Sequence, residues 1–234
     1  MSARFWKAVN FSMCQLHWND RVQAMEDISG FSFLNPFRLP DHLQNETSPS
    51  IQEIYTLLAQ DDERNRLIID NVISAVGAGR CPVLLTERRE HLESLTDLLS
   101  QHLKNVIVMK GGMGKKQRKQ LADQIASIPS EQARVIVATG RYLGEGFDDE
   151  RLDTLFLTLP ISWRGTLTQY AGRLHRLNPT KKEVIIYDYV DFGVPVLARM
   201  SKRRQTGYKS IGYEIVLPDD KSKGKPVQLT LVKL

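Results

Sequence analysis

Five short apolar runs punctuate the middle of the chain: Pro82–Thr86, Val106–Met109, Val135–Ala138, Thr154–Thr158 and Glu183–Tyr189. Each is too short for a helix, and none alternates cleanly with polar residues. Strands buried on both faces read this way, and such strands belong to parallel sheets. The stretches between them carry helical spacing. Strands that alternate with helices imply crossover units and a parallel sheet covered by helices. The expected fold class is therefore α/β with a central, mostly parallel sheet.

The helices can be placed from their caps and apolar faces. Ser50-Ile51-Gln52-Glu53 has the form of a capping box, and Ile51, Ile54, Leu57 and Leu58 then share a face. Asp61 and Asp62 open a second helix, where acidic groups suit the positive end of the dipole. Gly77 and Gly79 mark its stop. A third helix is expected from about Glu87 to Leu103, with Leu92, Leu95, Leu98 and Leu99 inward. A fourth is expected from Lys115 to Ile128, stopped by Pro129. The last runs from Val194 to about Gly207, and Arg199, Lys202, Arg203 and Arg204 make it strongly basic.

The expected domains are an N-terminal extension over 1–45, a main domain over 46–212 and a C-terminal tail over 213–234. Residues 1–45 are rich in aromatics, including Phe5, Trp6, Phe11, Trp18 and Phe31, without a sustained period. They cover an apolar patch or form a partner surface. Val227–Leu234 reads as a last strand or a frayed tail.

A chain of 234 residues, 41% hydrophobic and 25% charged, has the composition of an ordinary globular protein. Its formal net charge of +5 permits a polyanionic partner without demanding one. Two cysteines, Cys14 and Cys81, are too few for a disulfide framework and lack zinc-site spacing. No metal site is expected, and a reducing cytoplasm is the expected location. Lys7, Asp20 and Arg21 interrupt the N-terminal segment, so neither a signal peptide nor a membrane span is expected.

Two stretches carry chemistry. In the first, Val135–Ala138 ends in Thr139-Gly140, and a glycine-punctuated loop through Glu145 and Gly146 closes on Asp148. Ligands of open parallel sheets bind beyond the carboxyl ends of the strands, where these residues would sit. The second is Gln169-Tyr170-Ala171-Gly172-Arg173-Leu174-His175-Arg176. Two arginines three apart share a helix face and can converge on one anion, and their planar forks match phosphate oxygens. The plain alternative is a solvated basic face. His175 has no second ligand at metal spacing and reads as structural.

Strand, glycine loop with aspartate, strand and two-arginine helix, in that order, resemble motifs V and VI of superfamily two helicases. The resemblance runs from about Ser50 to Phe192 and points to the second, C-terminal RecA-like domain of such an enzyme. The wording of both motifs looks most like bacterial DEAD/DEAH-type helicases of the restriction and repair kind. The fold then implied is a RecA-like three-layer sandwich with an N-terminal extension and a basic C-terminal helix. The resemblance implies roles as well. Arg176 would be an arginine finger, with Arg173 a phosphate contact or interdomain latch. Gly146, Asp148 and Gln169 would lie on the nucleotide side of the cleft. Thr86, Arg88, Lys110, Gly111, Gly112, Thr139 and Gly140 would follow the phosphates of a nucleic-acid strand.

Such enzymes hydrolyse ATP between two RecA-like domains, the first of which supplies the phosphate loop. Gly111-Gly112-Met113-Gly114-Lys115-Lys116 only imitates that loop. The pattern needs glycine where Met109 stands and a hydroxyl where Lys116 stands. Asp61-Asp62-Glu63-Arg64 and Asp148-Asp149-Glu150-Arg151 imitate an acidic magnesium motif, but neither directly follows a buried strand. The chain is expected to carry half of an ATP site, as a truncated or split helicase or one domain of one. ATP and Mg²⁺ would be engaged only with a complementary phosphate-loop domain, present in trans or in a longer protein. The expected partner is a single- or double-stranded nucleic acid, with DNA the first reading, and no membrane. The alternative is a non-catalytic module that binds nucleic acid or docks a helicase partner.

Overall fold

The structure is a computed structural model, and it describes residues 37, 39–40, 49–140, 149–161, 168–176, 178, 181, 183–216 and 227–233. Six helices are described: α1 (Ile51–Gln60), α2 (Asp62–Gly77), α3 (Arg89–Ser100), α4 (Lys115–Ser127), α5 (Thr168–Leu174) and α6 (Pro195–Ser210). The strands are β1 (Pro82–Thr86), β2 (Val106–Met109), β3 (Val135–Thr139), β4 (Thr154–Leu157), β5 (Val184–Val190), β6 (Glu214–Val216) and β7 (Val227–Lys233). They form one sheet in the order β2-β3-β1-β4-β5-β7-β6. The first five are parallel. β7 runs antiparallel to both β5 and β6.

Both faces of the parallel part are covered, as the unbroken apolar runs require. Val83 and Leu85 of β1, Ile136 and Ala138 of β3, and Leu155 and Leu157 of β4 face α4, α5 and the end of α6. The residues between them, Leu84, Val137 and Phe156, face α2 and α3. A third cluster joins α1 to the start of α6 through Ile54, Leu58, Val194 and Leu197, with Phe37.

The caps set the helix positions. Ser50 and Glu53 form the expected capping box, at 3.2 Å and 2.8 Å. Asp61 accepts from the Arg64 amide at 2.8 Å and so caps α2. α2 and α6 end alike, in a Schellman motif. Gly79 (φ +79°) donates to the Val76 carbonyl while Arg80 donates to Ala75. Gly212 (φ +84°) donates to Lys209 while Tyr213 donates to Tyr208.

Within residues 213–234, β6 and β7 extend the sheet beyond β5, and of the two readings of Val227–Leu234 it is the last strand that forms, over Val227–Lys233. Arg204, one of the four cations that make α6 basic, is turned inward. It is buried and grips Asp188 of β5 with two hydrogen bonds, 2.7 Å and 2.9 Å. Its side chain also reaches the Ile161 carbonyl, and Tyr208 donates to the same carboxylate at 3.1 Å. Helical spacing points Arg204 inward beside Leu197, Ser201 and Tyr208, and Asp188 supplies the charge it needs there. Arg199, Lys202 and Arg203 are exposed.

Candidate functional site

Strand order locates the crevice. From β1 the chain crosses by α3 to β2 at the sheet edge, returns by α4 to β3, and continues past β1 to β4. α3 and α4 therefore lie on opposite faces, as right-handed crossovers demand. Ligands of such sheets bind beyond the carboxyl ends of the strands, here the edge where β1 and β3 lie side by side. Glu87 and Arg88 follow β1 at that edge, Thr139 and Gly140 end β3, and Lys110 and Gly111 follow neighbouring β2.

Gly140 is where these elements meet α5. Its carbonyl accepts a hydrogen bond from the buried Tyr170 hydroxyl. A Cβ at Gly140 would displace the Glu87 carboxylate and come to 3.0 Å from that hydroxyl, so a side chain there would crowd the Tyr170 contact. Burial and then the Glu87 carboxylate push the Tyr170 hydroxyl up to about 12, against the opposing charge of Arg173. Tyr170, Ala171 and Leu174 bury one side of α5, while Gln169 and Gly172 are exposed. Arg173 is half-buried and Arg176, just beyond the helix, is exposed. Lys181 donates to the carbonyls of Leu174 and Arg176, both at 2.8 Å, and so caps the end of α5. His175 Nε2 meets the Tyr213 hydroxyl at 2.8 Å, which agrees with a structural histidine.

Thr86, at the end of β1, points its side chain into the domain, where it is 2% exposed. Asn65 donates to the Ala59 carbonyl at 2.9 Å, which turns its Oδ1 toward His91 Nε2 at 2.8 Å. An oxygen there assigns the proton to Nε2 and leaves Nδ1 to accept from the Thr86 hydroxyl at 3.0 Å. Burial, aided by Arg64, holds the His91 pKa down at about 3, so the ring is neutral. The Arg88 amide donates to the Thr86 oxygen at 3.3 Å. Thr86 thus secures the turn that presents Arg88.

The other expected strand contacts lie along the carboxyl edge. Arg88 donates to the carbonyl and side-chain oxygens of Gln52, at 2.7 Å and 2.8 Å, tying the start of α3 to α1. Lys110 pairs with Glu93 at 2.9 Å, and Glu93 also lies 3.4 Å from Arg89. The hydrogen bond from Lys110, and then its charge, hold the Glu93 carboxyl below its ordinary value. The Gly111 amide donates to Thr139 Oγ1 at 3.1 Å, joining β2 to β3, and Gly112 turns the chain at φ +85°. Gly146 and Asp148 lie outside the described residues. Asp149 is nearly buried, paired with Arg134 and 3.5 Å from Arg151, so this carboxylate serves as a structural counter-charge.

Sequence reasoning missed Tyr170, Tyr213, Lys181 and the Asn65–His91 pair. Tyr170 and Leu174 stand four apart on one helix face, a legible signal. The others depend on contacts 5, 26 and 38 residues apart in sequence. Among the described residues, no group of three or more His, Cys, Asp or Glu is placed to hold a metal, and no helix is long and apolar enough to cross a membrane.

A parallel α/β sheet with an arginine-bearing helix at its carboxyl edge defines the class, a RecA-like domain of the helicase C-terminal kind. Residues 63–178 match the family of the helicase conserved C-terminal domain, and the chain carries that domain. Over 166 residues it is 25% identical to the transcript termination protein A18 of fowlpox virus (strain NVSL), covering 69% of this chain and 35% of that protein. It is 28% identical over 158 residues to the transcript termination protein OPG145 of monkeypox virus, covering 62% and 30%. The chain thus spans about a third of the length of these relatives. Among solved structures, T4 UvsW superposes with a TM-score of 0.58 at 16% identity, over 72% of this chain and 36% of that one. The C-terminal part of the Fun30 ATPase domain gives 0.50 at 16% identity, over 65% and 53%. At such identity the likeness establishes the fold.

Proposed function

We propose that this domain is the second half of a nucleic-acid-dependent ATPase, a helicase or translocase. The observation that carries the reading is the Tyr170–Gly140 bond. It hangs the two-arginine helix from the end of β3, beside the edge that presents Arg88, Lys110 and the Gly111–Gly112 turn. Arg176, exposed, is the finger that reaches the γ-phosphate of ATP held by a phosphate-loop domain. Arg173 contacts phosphate or latches the domains together. Charge spreads over the phosphoryl oxygens in the transition state, and a preorganised guanidinium stabilises it there. Gln169, Gly146 and Asp148 line the nucleotide side. Mg²⁺ belongs to the complementary domain, because neither acidic stretch of this chain directly follows a buried strand as a magnesium motif does.

Arg88, Lys110, Gly111, Gly112 and the backbone at Thr86, Thr139 and Gly140 follow strand phosphates, independent of base identity. DNA is the first substrate to test. The viral relatives are named for transcript termination, and this supports a role on nucleic acid during transcription as one setting for the activity.

ATP turnover tests the reading. The chain alone, with single-stranded DNA, is expected to show none. Adding or fusing a phosphate-loop RecA-like domain from a related helicase should produce turnover. Arg176→Ala should then cut it roughly 10³-fold, as loss of a finger does. Arg176→Lys should not rescue it, because a point charge lacks the planar fork. Turnover unaffected by Arg176→Ala would overturn the assignment. Three exposed cations of α6, Arg199, Lys202 and Arg203, favour a second reading as a non-catalytic binding module. Such a module would bind DNA without ever supporting ATP turnover.

A further inference from the structure

We infer that Tyr213 is a positioning residue for the arginine pair, acting through His175. The inference rests on reading Arg173 and Arg176 as the phosphate contacts. His175 lies between them in sequence, and its Nε2 is 2.8 Å from the Tyr213 hydroxyl, with the rings tilted at 59° and 5.5 Å apart. A seven-residue helix is too short to hold its own shape. The segment beyond Leu174 therefore takes its position from what it touches. Tyr170 anchors the helix on one side and Lys181 its last carbonyls. Tyr213 anchors the turn that carries Arg176.

Tyr213 is suited to this because it is itself immobilised. The Schellman motif at the end of α6 places it, through Gly212 at φ +84° and its own amide on the Tyr208 carbonyl at 3.0 Å. Its ring is 4% exposed and packs edge-on against Tyr208 at 6.3 Å. Tyr208 in turn donates to Asp188, which Arg204 grips. An unbroken set of contacts thus runs from the buried Arg204–Asp188 pair to the arginine turn. The hydroxyl of Tyr213 is its last link, and removing it loosens the turn, which Lys181 still holds by the Arg176 carbonyl, without opening the core.

Tyr213→Phe tests this on two readouts. On the full chain alone, amide exchange over residues 171–176 should accelerate at least severalfold, with exchange in β1, β3 and β4 unchanged. With the phosphate-loop domain supplied, turnover at saturating ATP should fall about tenfold, since misplacing a catalytic group costs up to about 10²-fold. The KM for ATP and the affinity for single-stranded DNA should stay within twofold. His175→Ala should do the same, and the double variant should be no worse than either single, because the two side chains form one link. Unchanged exchange over 171–176, or additive losses in the double variant, would overturn the proposal. If Arg176→Ala abolishes turnover while Tyr213→Phe leaves it intact, the finger stands and the positioning role falls. If Arg176→Ala is silent, the finger reading fails and this inference fails with it.

Discussion

His91 shows how a single side chain can set the pH response of this fold. It is 2% exposed, with both ring nitrogens hydrogen-bonded, and burial together with Arg64 keeps it neutral. Its folded pKa of about 3 lies below the unfolded value of about 6.5. Between those values the unfolded chain binds the extra proton, so stability is whole above pH 6.5 and falls as the pH drops through the window. The slope contributed is at most about 1.4 kcal/mol per pH unit. Chemical denaturation at pH 7.5, 6 and 5 should show this loss. His91→Ala should be less stable at neutral pH, and its decline over the same range should be shallower. A slope unchanged by the substitution would assign the acid sensitivity elsewhere.

At the scale of elements, helix ends hold the site together. α3 begins where Arg88 reaches Gln52 of α1, and α5 ends under Lys181. α6 ends in the motif that aims Tyr213. Gly212 adopts a left-handed backbone that L side chains resist by about 1–2 kcal/mol. Gly212→Ala should lower the unfolding free energy by about that amount, measured in urea, without changing the m-value. The substitution should also weaken the His175 contact, whereas Gly114→Ala, at φ −68° with open space around it, should leave stability nearly unchanged. Equal effects at the two glycines would remove the backbone argument.

For the whole molecule, the charge distribution decides how a polyanion is met. The 32 lysines and arginines include cations that never face solvent. Arg204 and Arg134 neutralise buried aspartates, and Arg64 lies 3.4 Å from Asp191 beneath the Tyr189 ring. The charge available to a strand is therefore a subset, centred on Arg88, Arg89 and Lys110, with Arg199, Lys202 and Arg203 on α6. Binding of single-stranded DNA is expected to be weak and to lose affinity steeply with salt, because phosphate neutralisation releases counterions. Fluorescence anisotropy from low to physiological salt should give a linear log–log decline. Lys110→Ala should reduce the slope by about one. Affinity indifferent to salt would point to base recognition instead.

What could be read from the chain was whatever rests on local pattern. Double-sided burial leaves an apolar run, a capping box leaves Ser50 and Glu53, and a shared helix face leaves Arg173 and Arg176 three apart. Hence the five parallel strands, most helix starts and the motif order were legible. Charge was not, because an arginine on a helix reads the same whether it meets water or a buried carboxylate 16 residues away, as Arg204 does. Only the folded chain brings Asp188 to Arg204, His91 to Thr86 and Tyr213 to His175. Each pairing is selected by the cost of burying a polar group unsatisfied, and that cost is defined only after the sheet has closed and water has left. The motif named the arginines, and the tertiary contacts around α5 decide where they are held.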